Sequence, residues 1–324
     1  MKKIIWYIIC TPFYIYFEAY KIFFYSVLKF LRYTKWLKYI LIRFIPTKGH
    51  ILIDINDTWI TWELLTINLK EPINTETIIQ NILSSKEINT IIDLGANIGD
   101  FVLIENHYSK AKIFAFEPVE KNFNILKANL YLNNLEELVY FEKTAIWDTD
   151  WKTKIFTPQA WNWSSIIKSS FTKDAPSETV SIKKLFTIFS EQKLDTNGVF
   201  IRTDIEWYEY NLLKWNIDFF KSLTNSWFCI EFHDQILDVK QCVEFMDIME
   251  RLWYTVPLMT NETPLWLWFY RSTILYPILL KSYKWKVSSN LIGLSRENVS
   301  FNTIRQELKD KKYPYGPHIN FYKN

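Results

Sequence analysis

Glycine is nearly missing from this sequence. Only 6 of its 324 residues are glycine, where average usage of about 7% would supply about 23. So few glycines exclude collagen-like and glycine-rich linker architectures and leave few positions free to adopt positive φ. Cysteine is scarce too: Cys10, Cys229 and Cys242 are odd in number, widely spaced and form no C-x-x-C pair. That argues against a disulfide framework or a cysteine-based zinc site and fits a reducing compartment. The chain has no G-x-x-x-x-G-K-[ST] loop, no G-x-G-x-x-G turn and no H-x-x-x-H pattern. ATP or GTP cradles, nicotinamide-dependent oxidoreduction and a histidine-based zinc site thus lose their usual carriers. Long apolar runs are absent as well, because Glu18, Lys21 and Lys29 interrupt the N-terminal hydrophobic stretches before they reach the ~20 residues a bilayer span needs.

What the chain does contain is aromatic. Tryptophan occurs 15 times, more than twice as often as glycine, within a composition of 49% hydrophobic and 23% charged residues. This is the profile of a folded chain with ample material for a core. The net charge of +3 conceals an asymmetry: residues 1–50 hold nine basic side chains and one acid, while the remainder is mildly acidic at −5. A basic, aromatic tail points to an anionic surface, and an acidic body argues against nucleic acid. We read residues 1–48 as a helical tail, either lying on a membrane surface with its Lys and Arg snorkelling to headgroups or packing on the body or on a second copy. Residues 49–275 form the main domain with a small N-terminal cap, and 276–324 a C-terminal helical extension.

Within the main domain, apolar runs at Thr90–Leu94, Lys112–Phe116 and Leu138–Glu142 alternate with helical patterns at Asp100–Tyr108 and Val119–Leu132. Short strands are expected at 152–157 and 178–182, a strong one at Val199–Ile205, and further strands at Trp227–Phe232 and Pro264–Tyr270. Helices are expected at Lys183–Glu191, Tyr208–Phe220, Leu237–Leu252 and Thr303–Lys312. This alternation predicts an α/β fold with a doubly wound, mostly parallel sheet and helices on both faces.

The first strand ends in Asp93-Leu94-Gly95-Ala96-Asn97-Ile98-Gly99-Asp100. Gly95 and Gly99 permit a sharp turn and close approach of backbone to a ligand, at the strand ends where such sheets bind small molecules. The next strand ends in Glu117-Pro118. A carboxylate in that place can accept both hydroxyls of a ribose, and Asn122 follows one helical turn on.

The segment TIIDLGANIGDF…AKIFAFEPVEKNFNILKANLYLNN resembles the FkbM family of S-adenosylmethionine-dependent methyltransferases, and the likeness extends from about Thr90 to Tyr270. The resemblance implies a seven-stranded Rossmann-like sheet. It implies that Asp93, Gly95, Asn97 and Gly99 shape the methionine end of a cofactor pocket, that Glu117 holds the ribose, and that Asn122 lies near the adenosine. Pro118, Ala145 and Asp148 complete that set. It also implies a hydroxyl acceptor, on a sugar, glycan or glycolipid; the basic, aromatic N-terminal tail would place the enzyme in the cytoplasm, peripheral to the inner face of the membrane, with homo-oligomerisation and a divalent metal left open.

Where the chain departs from the family, tryptophan stands where glycine is expected: Trp147, Trp151, Trp161, Trp163, Trp207, Trp215 and Trp253. Several of these are turn or helix-end positions that call for positive φ, where a bulky side chain costs on the order of 1–2 kcal/mol. We expect these codons to be UGA, read as glycine in the source organism. A native peptide carrying an intact tryptophan mass at residue 151 or 207 would sink that expectation.

For chemistry, Asp204 and Glu206 sit at the end of a buried strand and Glu231-Phe232-His233 at the end of the next. Carboxylates and an imidazole at a pocket edge suit general-base work on a hydroxyl. Asp204 and His233 are the candidate base and acceptor-positioning residues, with Glu206 and Glu231 supporting. Asp204 and Glu206 would equally suit a divalent cation, while no H-x-x-x-H or C-x-x-C pattern supports zinc. The rival readings are a nicotinamide oxidoreductase and a non-catalytic membrane-surface protein built on a methyltransferase fold.

Overall fold

Thr90–Leu94 is buried at every residue, the mark of a parallel strand covered on both faces. It is the third strand, β3, of a computed structural model that describes residues 37–44, 47–57, 82–85, 87–157, 164–166, 174–205, 208–231, 237–261, 294–310 and 318–324, together with 26, 30, 33 and 61. From β3 the chain builds helix α1 (Asp100–Tyr108), β4 (Lys112–Phe116), α2 (Glu120–Leu132) and β5 (Val139–Glu142) in one direction. It then returns through α3 (Leu185–Gln192), β9 (Val199–Thr203), α4 (Glu209–Trp215), α5 (Ile217–Ser222), β10 (Ser226–Glu231), α6 (Val239–Arg251) and β11 (Thr255–Asn261). β12 (Leu294–Glu297), α7 (Phe301–Lys309) and β13 (His318–Lys323) finish the chain.

The central sheet runs β12-β11-β13-β10-β9-β3-β4-β5. β5, β4, β3, β9 and β10 pair in parallel, whereas β13 is antiparallel to both β10 and β11. Strand alternation sends Ile92, Leu94, Ile201 and Phe228 into a core layer with α3, α6 and α7. Their neighbours Ile91, Ile113 and Phe200 join a second layer with α1, α2 and the N-terminal hairpin. The sheet is therefore doubly wound with helices on both faces, as expected, but it has eight strands rather than seven. β12 adds the extra edge by pairing antiparallel with β11. A smaller sheet, β6-β8-β7, comprises β6 (Thr144–Ile146), β7 (Trp151–Phe156) and β8 (Ser177–Lys183).

Two expectations about the elements need correction. Residues 39–44 are not the end of a helical tail: β1 (Tyr39–Phe44) pairs antiparallel with β2 (Gly49–Asp54). Tyr39, Leu41 and Arg43 face out while Ile40, Ile42 and Phe44 turn inward, a period of two that a helix cannot use. Asn129 of α2 and Asn133, which caps that helix one turn on, fasten β2 by exchanging hydrogen bonds with the backbone of Leu52 and His50. The helix expected over 208–220 breaks in two at Asn216, whose backbone has left helical geometry. Most of residues 1–36, the strand expected at 264–270, and Trp161, Trp163 and Trp207 lie outside the described residues.

The remaining glycine-like tryptophans divide. Trp253 has φ 67 and is 84% exposed. Its N–H donates to the Glu250 carbonyl, and that of Tyr254 to Met249. This is the hydrogen-bond pair of a helix stop in which residue C′ adopts left-handed geometry and glycine is preferred. Trp151 and Trp215 do not have positive φ. The first opens β7 and the second closes α4 as a helical residue, so the left-handed positions expected there are not found. We expect Trp253→Gly to raise stability by about 1 kcal/mol, or about 2–4 °C in Tm. A lowered Tm would show that the indole contributes packing the exposure does not reveal.

Candidate active site

The two halves of the sheet diverge between β3 and β9, and a crevice opens there at the carboxyl ends of the strands. Its floor is made by backbone. The N–H groups of Gly95 and Ala96 both donate to the Phe116 carbonyl at 3.0 Å, and that of Asp204 donates to Leu94 at 3.0 Å. Gly95 has φ +82, and a Cβ there would lie 2.0 Å from the Asp204 carbonyl oxygen. The turn is therefore closed to any other residue. Gly99, with φ +89, stands immediately before α1, where a Cβ would meet Leu126 Cδ1 at 2.5 Å.

A cavity of about 80 Å³ occupies the crevice. Of the sequence-expected residues, Gly95, Asn97, Glu117, Pro118, Asn122, Ala145 and Asp204 line it. Glu117 is the best-anchored of them. Its two carboxylate oxygens accept from the Asn97 and Val119 N–H groups, each at 2.9 Å. Burial pushes its pKa up to about 8, against the pull of those two N–H groups, with the charges of Asp93 and Asp204 adding to the rise. Asn97, held at φ 50, carries a buried Oδ1 with no hydrogen-bond partner.

Asp93, Gly99 and Asp148 are not part of the lining. Asp93 is fully buried on the face of β3 covered by α1, where its Oδ1 accepts from Arg202 Nη1 at 2.8 Å. Arg202 Nη2 reaches Asp204 Oδ2 at 3.3 Å, and its guanidinium lies over the Phe101 ring at 3.7 Å. Burial alone would lower the pKa of Arg202, but the charges of Asp93, Asp204 and Asp100 raise it, so it stays protonated. Glu105, one α1 turn beyond Phe101, is buried with neither oxygen hydrogen-bonded. Burial, with the charges of Asp93 and Asp100 adding to it, drives its carboxyl well above the ordinary carboxylate value. Asp148 lies beyond the wall, where its charge joins burial in raising the Tyr208 hydroxyl.

Sequence reasoning missed Arg202, Glu105 and Tyr208. Arg202 was findable: it is the charged residue in the apolar run V-F-I-R-T, two residues before Asp204 and so on the same strand face. Nothing in the sequence of α1 sets Glu105 apart. Tyr208 also lines the cavity, with a buried, unpartnered hydroxyl. Of the expected acid–base residues, only Asp204 is placed at the cavity. Glu206 and His233 lie outside the described residues, and Glu231 is described as the last backbone position of β10. Among the described residues no group of three or more His, Cys, Asp or Glu is arranged to hold a metal ion.

The family model for the methyltransferase FkbM domain matches residues 93–260. No curated protein matches the chain. Among solved structures, precorrin-6y C5,15-methyltransferase from Geobacter metallireducens GS-15 is similar at 10% identity, covering 77% of this chain and 87% of that one, with a TM-score of 0.36. TYW2 of M. jannaschii, solved in complex with AdoMet, shows 14% identity, 70% and 80% coverage and a TM-score of 0.39. The tRNA methyltransferase TrmI from Aquifex aeolicus shows 12%, 76% and 67%, with a TM-score of 0.35. With TM-scores below 0.5, none of the three bears on the activity.

Proposed function

The chain belongs to the FkbM methyltransferase family, whose domain model spans just over half of it, and from that premise we propose that this S-adenosylmethionine-dependent methyltransferase alkylates a hydroxyl of a sugar, glycan or glycolipid. The observation that carries the site is the Glu117 carboxylate, fixed by two N–H groups at the wall of a glycine-floored crevice. That donor set fits the cofactor: Glu117 would take the ribose hydroxyls, the free Asn97 Oδ1 would accept from an ammonium or N–H, and Gly95 leaves the backbone open to close approach.

When bound, the cofactor supplies a methyl group already activated on a sulfonium. The protein therefore needs to align an acceptor oxygen with that methyl and take its proton. Asp204 is at the cavity edge, 28% exposed, with Oδ2 held by Arg202. The work of Asp204 would be to orient the acceptor hydroxyl and to take its proton on methyl transfer. The buried Arg202 stays charged throughout and holds the carboxylate in place.

The acceptor class rests on the family resemblance. The membrane-peripheral, cytoplasmic placement rests on the +8 charge of residues 1–50 and on the outward-facing Tyr39, Leu41 and Arg43 of β1. No helix among the described residues is long and apolar enough to cross a membrane. The test is transfer of labelled methyl from S-adenosylmethionine to lipid-linked glycan, free glycan and RNA fractions. We expect label in a glycan fraction, with Asp204→Asn lowering turnover about 100-fold while cofactor affinity holds within about threefold. Label in RNA alone would overturn the acceptor class, and full turnover by the Asp204→Asn variant would remove Asp204 from the proton transfer.

A further inference from the structure

Between Glu18 and Asp54 the chain carries no acid, yet it holds seven lysines and arginines. Residues 54–324 carry a net charge of −5, so the positive charge is concentrated in one stretch. Aromatic and aliphatic side chains of that stretch face solvent. Phe30 and Tyr33, three residues apart in helical backbone, are 64% and 85% exposed, and that spacing puts them on one helix face. Leu37 is exposed next, followed by Tyr39 and the 52% exposed Leu41 on the outward side of β1. Lys38, whose ammonium lies over the Tyr39 ring at 5.0 Å, and Arg43 are exposed among them. The acid paired with this row, Asp54, is buried and already bound by Lys121 at 3.1 Å.

The hairpin also has a fixed direction relative to the crevice. Val119, just before α2, and Asn122 in its first turn both line the cavity. Lys121, in the same turn, binds Asp54 at the end of β2, and Asp54 pairs with Tyr39 at the start of β1. The Ile55 N–H donates to the Lys38 carbonyl at 3.0 Å and extends that pairing. At the other end of α2, Asn133 bonds the His50 N–H, and His50 pairs with Arg43. Lys38 and Tyr39 are therefore at the crevice end of the hairpin, and Arg43 is at the far end.

We propose that the exposed face from Phe30 to Arg43 docks on an anionic lipid bilayer with the crevice end of the hairpin at the membrane, so that the acceptor sugar is presented on a lipid. The proposal rests on the glycan or glycolipid reading above and selects its lipid-linked member. Cations interleaved with phenylalanine, tyrosine and leucine match an interface where headgroup phosphates border acyl chains. Nucleic-acid phosphates would take the cations but leave Leu37 and Leu41 without an apolar partner. A second copy meeting this face with its own would bring the same positive charge.

Sedimentation of the full-length chain with vesicles of phosphatidylglycerol and phosphatidylcholine in equal parts tests the face. Binding is expected to be at least about tenfold tighter than to phosphatidylcholine alone, and to weaken as salt rises. Lys38→Glu/Arg43→Glu should lose at least about tenfold. The charge-neutral pair Phe30→Ser/Leu41→Ser should lose about tenfold, which a purely electrostatic contact would not. Thermal melts establish that the variants, all at exposed positions, are folded. Retained binding by both folded double variants overturns the docking face. Tighter binding to single-stranded RNA than to the vesicles also overturns it, as does a lipid-free dimer that Phe30→Ser/Leu41→Ser disperses. Methyl transfer tests the orientation. Lys38→Glu/Arg43→Glu should lose at least about tenfold on lipid-linked glycan in the vesicles and stay within about twofold on the same glycan cleaved from its lipid. Equal loss on both, or loss on neither, overturns the lipid-linked acceptor. Vesicle binding as expected with no label in any glycan supports the docking face and overturns the glycan reading instead.

Discussion

Glu117→Ala should weaken S-adenosylmethionine binding about 100-fold, measured by calorimetry. Above about pH 8, where the side chain is ionised, a buried carboxylate accepting from two ribose hydroxyls would contribute about 1.5–3 kcal/mol per bond, and each factor of ten is about 1.4 kcal/mol. The same carboxylate accepts the N–H groups of Asn97 and Val119, so its loss also loosens the turn that forms the cavity floor. Affinity that survives the substitution would remove the ribose assignment. Glu117 has a pH signature as well. Burial raises its folded pKa to about 8, above the ordinary 4.5. Between those values the folded chain binds the proton that the unfolded chain releases. Its contribution to stability is therefore complete below about pH 4.5 and is lost as the pH climbs through about 8. Glu117→Gln, neutral at every pH, should flatten that part of the profile in urea denaturation across this window. An unaltered slope would place the titration elsewhere.

Arg202→Met should destabilise the fold by about 3–5 kcal/mol, because it leaves Asp93 buried without its counter-ion. Against a typical total of about 5–15 kcal/mol, that brings the chain close to unfolding. The geometry behind the number is a single side chain serving two strands: Nη1 on Asp93 at the end of β3 and Nη2 on Asp204 just past β9, with the guanidinium over Phe101 of α1. Adding Asp93→Asn removes the orphaned charge, so the double variant should recover much of the loss. A double variant as unstable as Arg202→Met alone would mean that packing against Phe101, not charge pairing, is what the arginine supplies. Arg202→Lys keeps the charge but cannot make the two-pronged contact, and should fall between the parent and Arg202→Met.

The strands that carry the site were legible for a simple reason. β3, β4 and β9 are fully or nearly fully buried, so each reads as a mostly apolar run, broken by Asp93 in β3 and by Arg202 in β9, that leads into a turn residue or an acid. Glu117 was legible because it ends such a run at the spacing a ribose acceptor needs. Trp253 was legible through the family resemblance of Leu252-Trp253-Tyr254, and the structure supplies the physical reason: a helix end that hands on through a left-handed residue favours glycine. β1 was misread because its aromatic, basic composition masked a period of two. Trp151 and Trp215 were misplaced because their local spacing is compatible with both a turn and the adjoining strand or helix, and tertiary pairing chose the latter.

The local chemistry was determined by the sequence alone: a glycine turn after a buried strand, an acid after the next, and a basic, aromatic N-terminus on an acidic body. Each follows from neighbours a few residues apart, whose backbone and polarity requirements travel with the chain. The tertiary structure decided what stands next to what. It inserted β13 between β10 and β11, set Arg202 opposite Asp93 across 109 residues, and laid the indole of Trp147 on Tyr208. Those contacts depend on strand register and on which side chain fills a shared space, and both are settled only when distant segments exclude water together.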